Sequence, residues 1–183
     1  KSKVANINDL NEKQKVLKIA YEEFYKAYNP KGADRLGVVY TPNEIVNFMI
    51  KSTDYLCFKH FGKGISDEGI NILDPATGTG TYITSLLQHI PPYKLKQKYQ
   101  NEIHCNELAV LPYYIANLNI EYTYHYLMKE YEPFENIVLT DTLDNASALK
   151  YTGKQSSFFG VSEENTERIK RQNDTKISII IGN

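Results

Sequence analysis

The feature that most constrains this sequence is a repeated alternation between short apolar runs and stretches with helical periodicity. Four runs have the length and composition of buried strands, and they span residues 70–73, 103–106, 137–139 and 177–181. Helical patterns separate them, at 82–89, at 108–129 and at 163–171. Strands that alternate with helices predict an α/β fold in which helices cover both faces of a parallel sheet.

Two further helices are predicted before the first strand. Apolar residues at steps of three and four indicate an amphipathic helix over 8–28, which Asn29-Pro30 ends. Thr41-Pro42 then begins a second helix, since Thr41 can cap it and Pro42 suits its first turn. Its predicted buried face comprises Ile45, Phe48, Met49, Ser52 and Leu56. The sequence thus divides into a helical segment, 1–36, and an α/β part, 37–183.

Composition and charge restrict the class of protein. The 183 residues are 42% hydrophobic and 23% charged, values of a folded globular domain that exclude disordered, collagen-like and disulfide-stapled chains. The formal net charge is −1, and Arg35, Arg168 and Arg171 are the only arginines among 21 basic residues. Because DNA affinity needs a basic surface and arginine is the usual reader of guanine, we expect sequence recognition to lie elsewhere.

The cysteines and histidines do not form a predicted metal or disulfide site. Cys57 and Cys105 lack the Cys-x-x-Cys spacing, so we expect free, structural thiols in a reducing compartment. The histidines show no His-Glu-x-x-His spacing and no cysteine partner, and they are His60, His89, His104 and His125. No metal is therefore expected.

Two further patterns each allow two interpretations. Lys94, Lys96 and Lys98 alternate along a stretch that leads to the second strand, which favours a solvated face and leaves phosphate contact as the alternative. The tyrosines of the long helix and its end favour core and boundary positions, with base stacking as the alternative. They are Tyr113, Tyr114, Tyr122, Tyr124, Tyr126 and Tyr131.

The residues that follow each strand carry the chemistry, because ligands of parallel sheets bind beyond the carboxyl ends of the strands. The first strand leads into Asp74-Pro-Ala-Thr-Gly-Thr-Gly80, whose glycines let the backbone approach a ligand at a helix N-terminus. The second ends in Asn106-Glu107, a carboxylate suited to ribose hydroxyls. Asp141 follows the third and can accept a hydrogen bond from an adenine amine, and Asn183 follows the fourth.

The residues at these strand ends do not match the common nucleotide-binding motifs. The third glycine of the dinucleotide fingerprint is replaced by Ile83, and Gly80 is followed by Thr81-Tyr82 instead of the Lys-Ser/Thr of a P-loop. A carboxylate attracts ammonium and repels phosphate, so Asp74 favours an amino-acid group over a pyrophosphate. An amino-acid end, a ribose and an adenine together indicate S-adenosylmethionine.

With Gly37-Val-Val-Tyr-Thr-Pro42 placed before the glycine-rich loop, these motifs resemble, in order, those of amino-group DNA methyltransferases that modify adenine N6. The spacing of these motifs and the tripeptide Asp141-Thr142-Leu143 most resemble those of type I-like and type IIG-like restriction-modification enzymes. In these enzymes nuclease, motor, methyltransferase and recognition regions share one polypeptide. The resemblance covers residues 36–183. It implies a Rossmann-like, S-adenosylmethionine-dependent methyltransferase fold, double-stranded DNA as partner, and a cytoplasmic, bacterial-type location.

The resemblance also implies a role for each matching residue. The methionine part of the cofactor would contact Tyr40, Thr41 and Pro42. The loop around the cofactor would comprise Asp74, Ala76, Thr77, Gly78 and Gly80. Glu107 would hold the ribose hydroxyls and Asp141 the adenine amine. Asn183 matches the first residue of the catalytic Asn-Pro-Pro-Tyr motif, in which the asparagine oxygen accepts a hydrogen bond from the target amine.

Several alternatives stay open. Because Asn183 is not followed by Pro-Pro-Tyr, we expect 37–183 to be the N-terminal part of a catalytic domain, inactive without the remaining methyltransferase and target-recognition regions. A noncatalytic cofactor-binding scaffold, or a methyltransferase acting on RNA or on protein glutamine, would show the same motifs. Each site residue also has a structural alternative: a plain turn for Asp74–Gly80, a helix-start carboxylate for Glu107 and a turn former for Asp141.

Overall fold

A computed structural model describes Ile19, Glu23, residues 41–143 and residues 163–183. The chain divides into two compact units, residues 1–42 and residues 43–183. In the first unit Ile19 and Glu23 are helical and exposed. The rest of the predicted helix over 8–28 lies outside the described residues, so that helix stays a prediction.

The second unit contains a sheet of four parallel strands in the order β3-β2-β1-β4. They are β1 (Ile72–Asp74), β2 (Ile103–Glu107), β3 (Ile137–Leu139) and β4 (Ile179–Ile180). Ile72 of β1 is paired with Ile103 on one side and with Ile179 on the other. The parallel sheet predicted from the alternation of strands and helices is therefore confirmed.

One helix precedes β1 and the others connect the strands, as parallel pairing requires. They are α1 (Asn43–Phe61), α2 (Thr81–His89), α3 (Pro92–Asn101), α4 (Val110–Met128) and α5 (Glu163–Asp174). The predicted helices after β1, after β2 and before β4 are confirmed to within a few residues. Helix α3, which begins at Pro92, is not predicted from the sequence, because lysines interrupt the apolar pattern of Leu95 and Tyr99, both fully buried.

The core lies between the sheet and the helices. Fully buried side chains from strands and helices form one cluster, among them Ile72, Ile103, Ile137, Ile83, Leu87 and Ile120. The ring centroids of Tyr99 and Tyr124 lie 4.0 Å apart in a stacked arrangement, and Phe134 packs at 5.0 Å from Tyr99. Tyr124 is thus a core residue, whereas Tyr114 and Tyr131 are exposed.

The predicted buried face of α1 is wrong for three of its five residues. Phe48 is 70% exposed, and Ile45 and Leu56 are exposed as well, whereas Val46 and Ile50 are buried. Met49 of the predicted face is partly buried, and its sulfur accepts a hydrogen bond from the Tyr82 hydroxyl of α2 at 3.0 Å. Because α1 carries apolar residues around most of its circumference, periodicity alone could not identify the face that packs.

The expectation of a solvated lysine face is also wrong in part. All three lysines lie on α3 and form ion pairs: Lys94 with Asp67, Lys96 with Glu130, and Lys98 with Glu102. Lys98 is fully buried, and its Nζ also donates to the Ile70 carbonyl at 2.7 Å. The long aliphatic stem lets Lys98 lie inside the packed face of α3 while its charge meets a buried carboxylate.

Three further observations concern the described part of the chain as a whole. Cys57 and Cys105 are free thiols, as predicted. Among the described helices none is long and apolar enough to cross a membrane. Within the part of the sheet that the structure describes, β4 pairs with β1, and Ile180 is 69% exposed.

Candidate functional site

The loops after β1, β2 and β3 contact one another at the carboxyl edge of the sheet. Glu107 Oε2 accepts a hydrogen bond from the Gly78 N–H at 2.8 Å. The Thr140 N–H donates to the Glu107 carbonyl at 2.9 Å, and Thr142 Oγ1 donates to the Pro75 carbonyl at 2.6 Å. The structure therefore brings the loops that carry Asp74, Glu107 and Asp141 to a single edge.

The loop between β1 and α2 depends on two glycines in the left-handed region, Gly78 with φ 58° and Gly80 with φ 87°. A Cβ on Gly80 would lie 3.4 Å from the Ala116 backbone, so glycine lets α4 pack closely on the loop. No described atom lies within 4 Å of the position that a Gly78 Cβ would take. A ligand can therefore approach the backbone beside Gly78, while Thr77 N–H fastens the loop to the Asn106 carbonyl at 2.9 Å.

Asp74 ends β1 and is fully buried. Its Oδ1 accepts a hydrogen bond from the Ala76 N–H at 3.2 Å, whereas Oδ2 has no hydrogen-bond partner among the described residues. Burial raises the pKa of Asp74 to about 7, with a smaller contribution from the charge of Glu107, and the Ala76 N–H opposes the rise. A cationic group placed against Oδ2 would stabilise the ionised carboxylate.

Glu107 ends β2 and is half-buried. Its Oε1 accepts a hydrogen bond from the Ala109 N–H at 2.8 Å, and its Oε2 accepts the Gly78 bond. Desolvation raises the pKa of Glu107, and these backbone N–H groups oppose the rise. Each carboxylate oxygen has a second acceptor site, so Glu107 can hold the loop and still accept hydroxyl groups of a ligand.

Two further polar atoms at this edge are buried without a hydrogen-bond partner in the described residues, Asn106 Oδ1 on β2 and Thr140 Oγ1 after β3. With Asp74 Oδ2, such atoms lie at the ends of three neighbouring strands. Buried polar atoms are almost always satisfied, so a polar ligand or ordered water can serve as the partner of these atoms. No role is predicted for Asn106 or Thr140 from the sequence, although a polar residue at the end of an apolar strand can indicate a site residue.

Asp141 and Thr142 form the turn after β3. Asp141 is half-buried, and its Oδ1 accepts a hydrogen bond from the Leu143 N–H at 2.9 Å. Thr142 Oγ1 also accepts a hydrogen bond from Asn106 Nδ2 at 3.1 Å. The turn that the structural alternative assigned to Asp141 is present, and it places Asp141 beside the loops of β1 and β2.

Asn183 follows β4 and Gly182. A Cβ on Gly182 would lie 2.6 Å from Asp74 Oδ1 and 3.1 Å from Pro75, so the backbone before Asn183 packs directly on the loop after β1. Thr41 and Pro42 belong to the first unit and immediately precede α1 in the chain, and Tyr40 lies outside the described residues. Across the described ranges no group of three metal-ligating side chains is present.

A comparison with family models matches residues 12–157 to the model described as N-6 DNA Methylase. The chain belongs to the N-6 DNA methylase family. Since the match covers most of the sequence, it includes both the glycine-rich loop and the ends of β2 and β3. The reaction that names this family requires a methyl donor. A comparison with curated proteins found no match.

Solved structures agree with the N-6 DNA methylase assignment. A DrdV–DNA complex determined by cryo-electron microscopy is 58% identical over 97% of this chain, with a TM-score of 0.88. A nuclease-deletion mutant of the Type ISP restriction-modification enzyme LlaGI, in complex with a DNA substrate mimic, is 35% identical over 97%, with a TM-score of 0.79. The ATP-dependent Type ISP enzyme LlaBIII, bound to DNA, is 35% identical over 96%, with a TM-score of 0.79.

This chain spans 17%, 14% and 12% of those three chains. The matches confirm the Rossmann-like methyltransferase fold and the resemblance to adenine-N6 methyltransferase domains of restriction-modification enzymes. The large share of each matched chain that lies outside the alignment fits the expectation of a domain within a longer polypeptide.

Proposed function

We propose that this chain provides the cofactor-binding part of an S-adenosylmethionine-dependent methyltransferase that modifies adenine N6 of DNA in a restriction-modification system. The main support for the proposal comes from the carboxyl edge of the sheet, where the loops after β1, β2 and β3 contact one another. At this edge Asp74 Oδ2, Asn106 Oδ1 and Thr140 Oγ1 have no hydrogen-bond partner among the described residues. An edge lined by acceptors suits a donor-rich, cationic ligand. Membership of a DNA methylase family supports the same ligand.

The residues present fit S-adenosylmethionine. The cofactor's ammonium group would meet Asp74, its ribose hydroxyls Glu107 and its adenine amine Asp141. The backbone around it would come from Ala76, Thr77, Gly78 and Gly80, with Tyr40, Thr41 and Pro42 against the methionine part. When bound, the cofactor supplies a methyl group on a sulfonium, which is electrophilic enough to react with an amine held in line with it.

Asn183 is the proposed catalytic residue of this chain. Its side-chain oxygen would accept a hydrogen bond from the target amine and so direct the nitrogen lone pair toward the methyl group. Gly182 places this asparagine next to the loop of Asp74, which supports the assignment. The remaining methyltransferase and target-recognition regions of the whole protein would complete the motif and hold the flipped adenine.

Double-stranded DNA is the proposed substrate, and the DNA-bound state of the three similar solved structures supports it. A restriction-modification role would also imply a bacterial cytoplasmic location. The alternatives, a noncatalytic scaffold or a methyltransferase for RNA or protein glutamine, would bind the same cofactor. The scaffold would form no methylated product, and the other two would methylate RNA or protein instead of DNA, so an assay of methyl transfer distinguishes them.

The cofactor assignment is tested by replacing Glu107 with glutamine in the whole protein. Glu107→Gln removes the charge and one of the two acceptors that hold the Gly78 and Ala109 N–H groups, so we expect affinity for S-adenosylhomocysteine to fall about tenfold. Isothermal calorimetry measures the affinity. The wild-type protein must bind for the proposal to stand.

Glu121→Gln is the matched control. Glu121 Oε1 also accepts a backbone N–H from another segment, that of Phe134 at 3.0 Å, and its Oε2 accepts the Tyr131 hydroxyl. Glu121 lies on α4, outside the candidate site, so its variant should keep wild-type affinity. Equal losses in the two variants would mean that Glu107 acts through stability alone.

A further inference from the structure

Thr142 joins three strands through one hydroxyl group. Its Oγ1 donates to the Pro75 carbonyl in the loop after β1 at 2.6 Å. The same oxygen accepts a hydrogen bond from Asn106 Nδ2 of β2 at 3.1 Å. Thr142 itself lies in the turn after β3, so a single side chain connects the ends of β1, β2 and β3.

Each partner in this connection is adjacent in sequence to a residue of the candidate cofactor site. Pro75 lies between Asp74 and Ala76, Asn106 precedes Glu107, and Thr142 follows Asp141. The proposed contacts to the methionine end, the ribose and the adenine therefore come from three segments that the Thr142 hydroxyl holds at fixed separations.

Other hydrogen bonds join these segments in pairs, and the Gly78 N–H binds the loop after β1 to Glu107 of β2. The Asp141–Leu143 bond lies within the turn after β3, and the Thr140 N–H fastens that turn to β2. β1 lies between β2 and β4 and is not adjacent to β3. The Thr142–Pro75 bond crosses this gap and brings the turn of β3 to the loop of β1.

We propose that Thr142 is a positioning residue for the cofactor, whose hydroxyl sets the spacing between the adenine-contacting turn and the methionine-contacting loop. This inference rests on the proposed function. A ligand that spans several segments binds more tightly when those segments are already held in the bound geometry. Thr142 would supply this preorganisation without touching the cofactor.

The test replaces Thr142 in the whole protein with valine, which keeps the shape of threonine and removes both hydrogen bonds. Thr142→Ser keeps the hydroxyl and tests rescue. We expect Thr142→Val to weaken S-adenosylhomocysteine binding about tenfold, because it removes two hydrogen bonds of ordinary strength. The serine variant should bind like the wild type. In turnover with S-adenosylmethionine, KM for the cofactor should rise while kcat changes little.

Thr175→Val is the matched control, because Thr175 Oγ1 also donates to a backbone carbonyl, that of Arg171 at 2.9 Å, near the opposite end of β4. Its affinity should equal that of the wild type. Unchanged affinity in Thr142→Val, or an equal loss in Thr142→Ser, would overturn the role of Thr142 while leaving the proposed function intact. Failure of the wild-type protein to bind would overturn both.

Discussion

At the scale of single residues, burial strongly changes the acidity of Asp74. Its pKa is 3.8 in an unperturbed chain and about 7 in the folded protein, because burial disfavours the charge. As pH rises from about 4 to about 7, the unfolded chain loses the proton while the folded protein retains it. The free energy of unfolding attributable to Asp74 therefore decreases across this window and is constant above it.

Asp74→Asn tests this dependence, since asparagine keeps the shape and does not titrate. We expect the stability of the wild type relative to the variant to fall between pH 5 and pH 7, by up to roughly 1.4 kcal/mol for each unit. Urea unfolding at a series of pH values measures the difference. The pKa of His104, lowered by burial to about 4, adds a slope of opposite sign to both proteins and cancels. A difference that does not change with pH would rule out the raised pKa.

The sequence predicted some of these residues and not others. Asp74, Glu107 and Asp141 could be named because each follows a recognisable strand. Thr142 and Asn106 could not be assigned a role, since their importance lies in a hydrogen bond between segments that only the sheet brings together. Burial of a polar atom at a strand end is likewise a property of the folded chain.

At the scale of elements, a buried ion pair contributes to the attachment of α3 to the sheet, beside the packing of Leu95 and Tyr99. Lys98 Nζ lies 2.7 Å from Glu102 Oε2, and both side chains are buried. The Glu102 carboxylate also accepts the Gly69 N–H at 2.6 Å, so it connects α3 to the segment that leads into β1. Removal of the lysine would leave a buried carboxylate without its cation.

We therefore expect Lys98→Met to lower the free energy of unfolding by about 3 to 5 kcal/mol, the usual cost of breaking a buried pair. Lys96→Met is the matched control on the same helix. The Lys96 side chain is 52% exposed, so its ion pairs are screened by water and its loss should cost far less than the loss of Lys98. Chemical denaturation measures both values, and similar costs for the two variants would contradict a structural role specific to Lys98.

Two helices also show where the periodicity of the sequence does not predict the packing of the folded chain. Strand and helix order followed from alternating periodicity, because each element must bury an apolar surface. The same periodicity did not predict the buried face of α1 or the existence of α3. Apolar residues surround most of α1, and α3 buries Lys98 inside its packed face, so in both helices the neighbouring elements decide which side is buried.

At the scale of the whole molecule, this chain forms an N-6 DNA methylase fold whose strand ends meet at one edge. Its solved relatives are much longer, and this chain matches 12% to 17% of their length. The proposed reaction therefore depends on the whole protein, in which Asn183 would meet the target base and the cofactor at the same edge of the sheet.

The most direct test is methyl transfer by the whole protein from S-adenosylmethionine with a labelled methyl group to double-stranded DNA, followed by nucleoside analysis. We expect labelled N6-methyladenine, and a loss of about a hundredfold or more in Asn183→Ala, because this variant lacks the acceptor proposed to orient the amine. Label in RNA or protein instead, or cofactor binding without transfer to any of them, would contradict the proposed function.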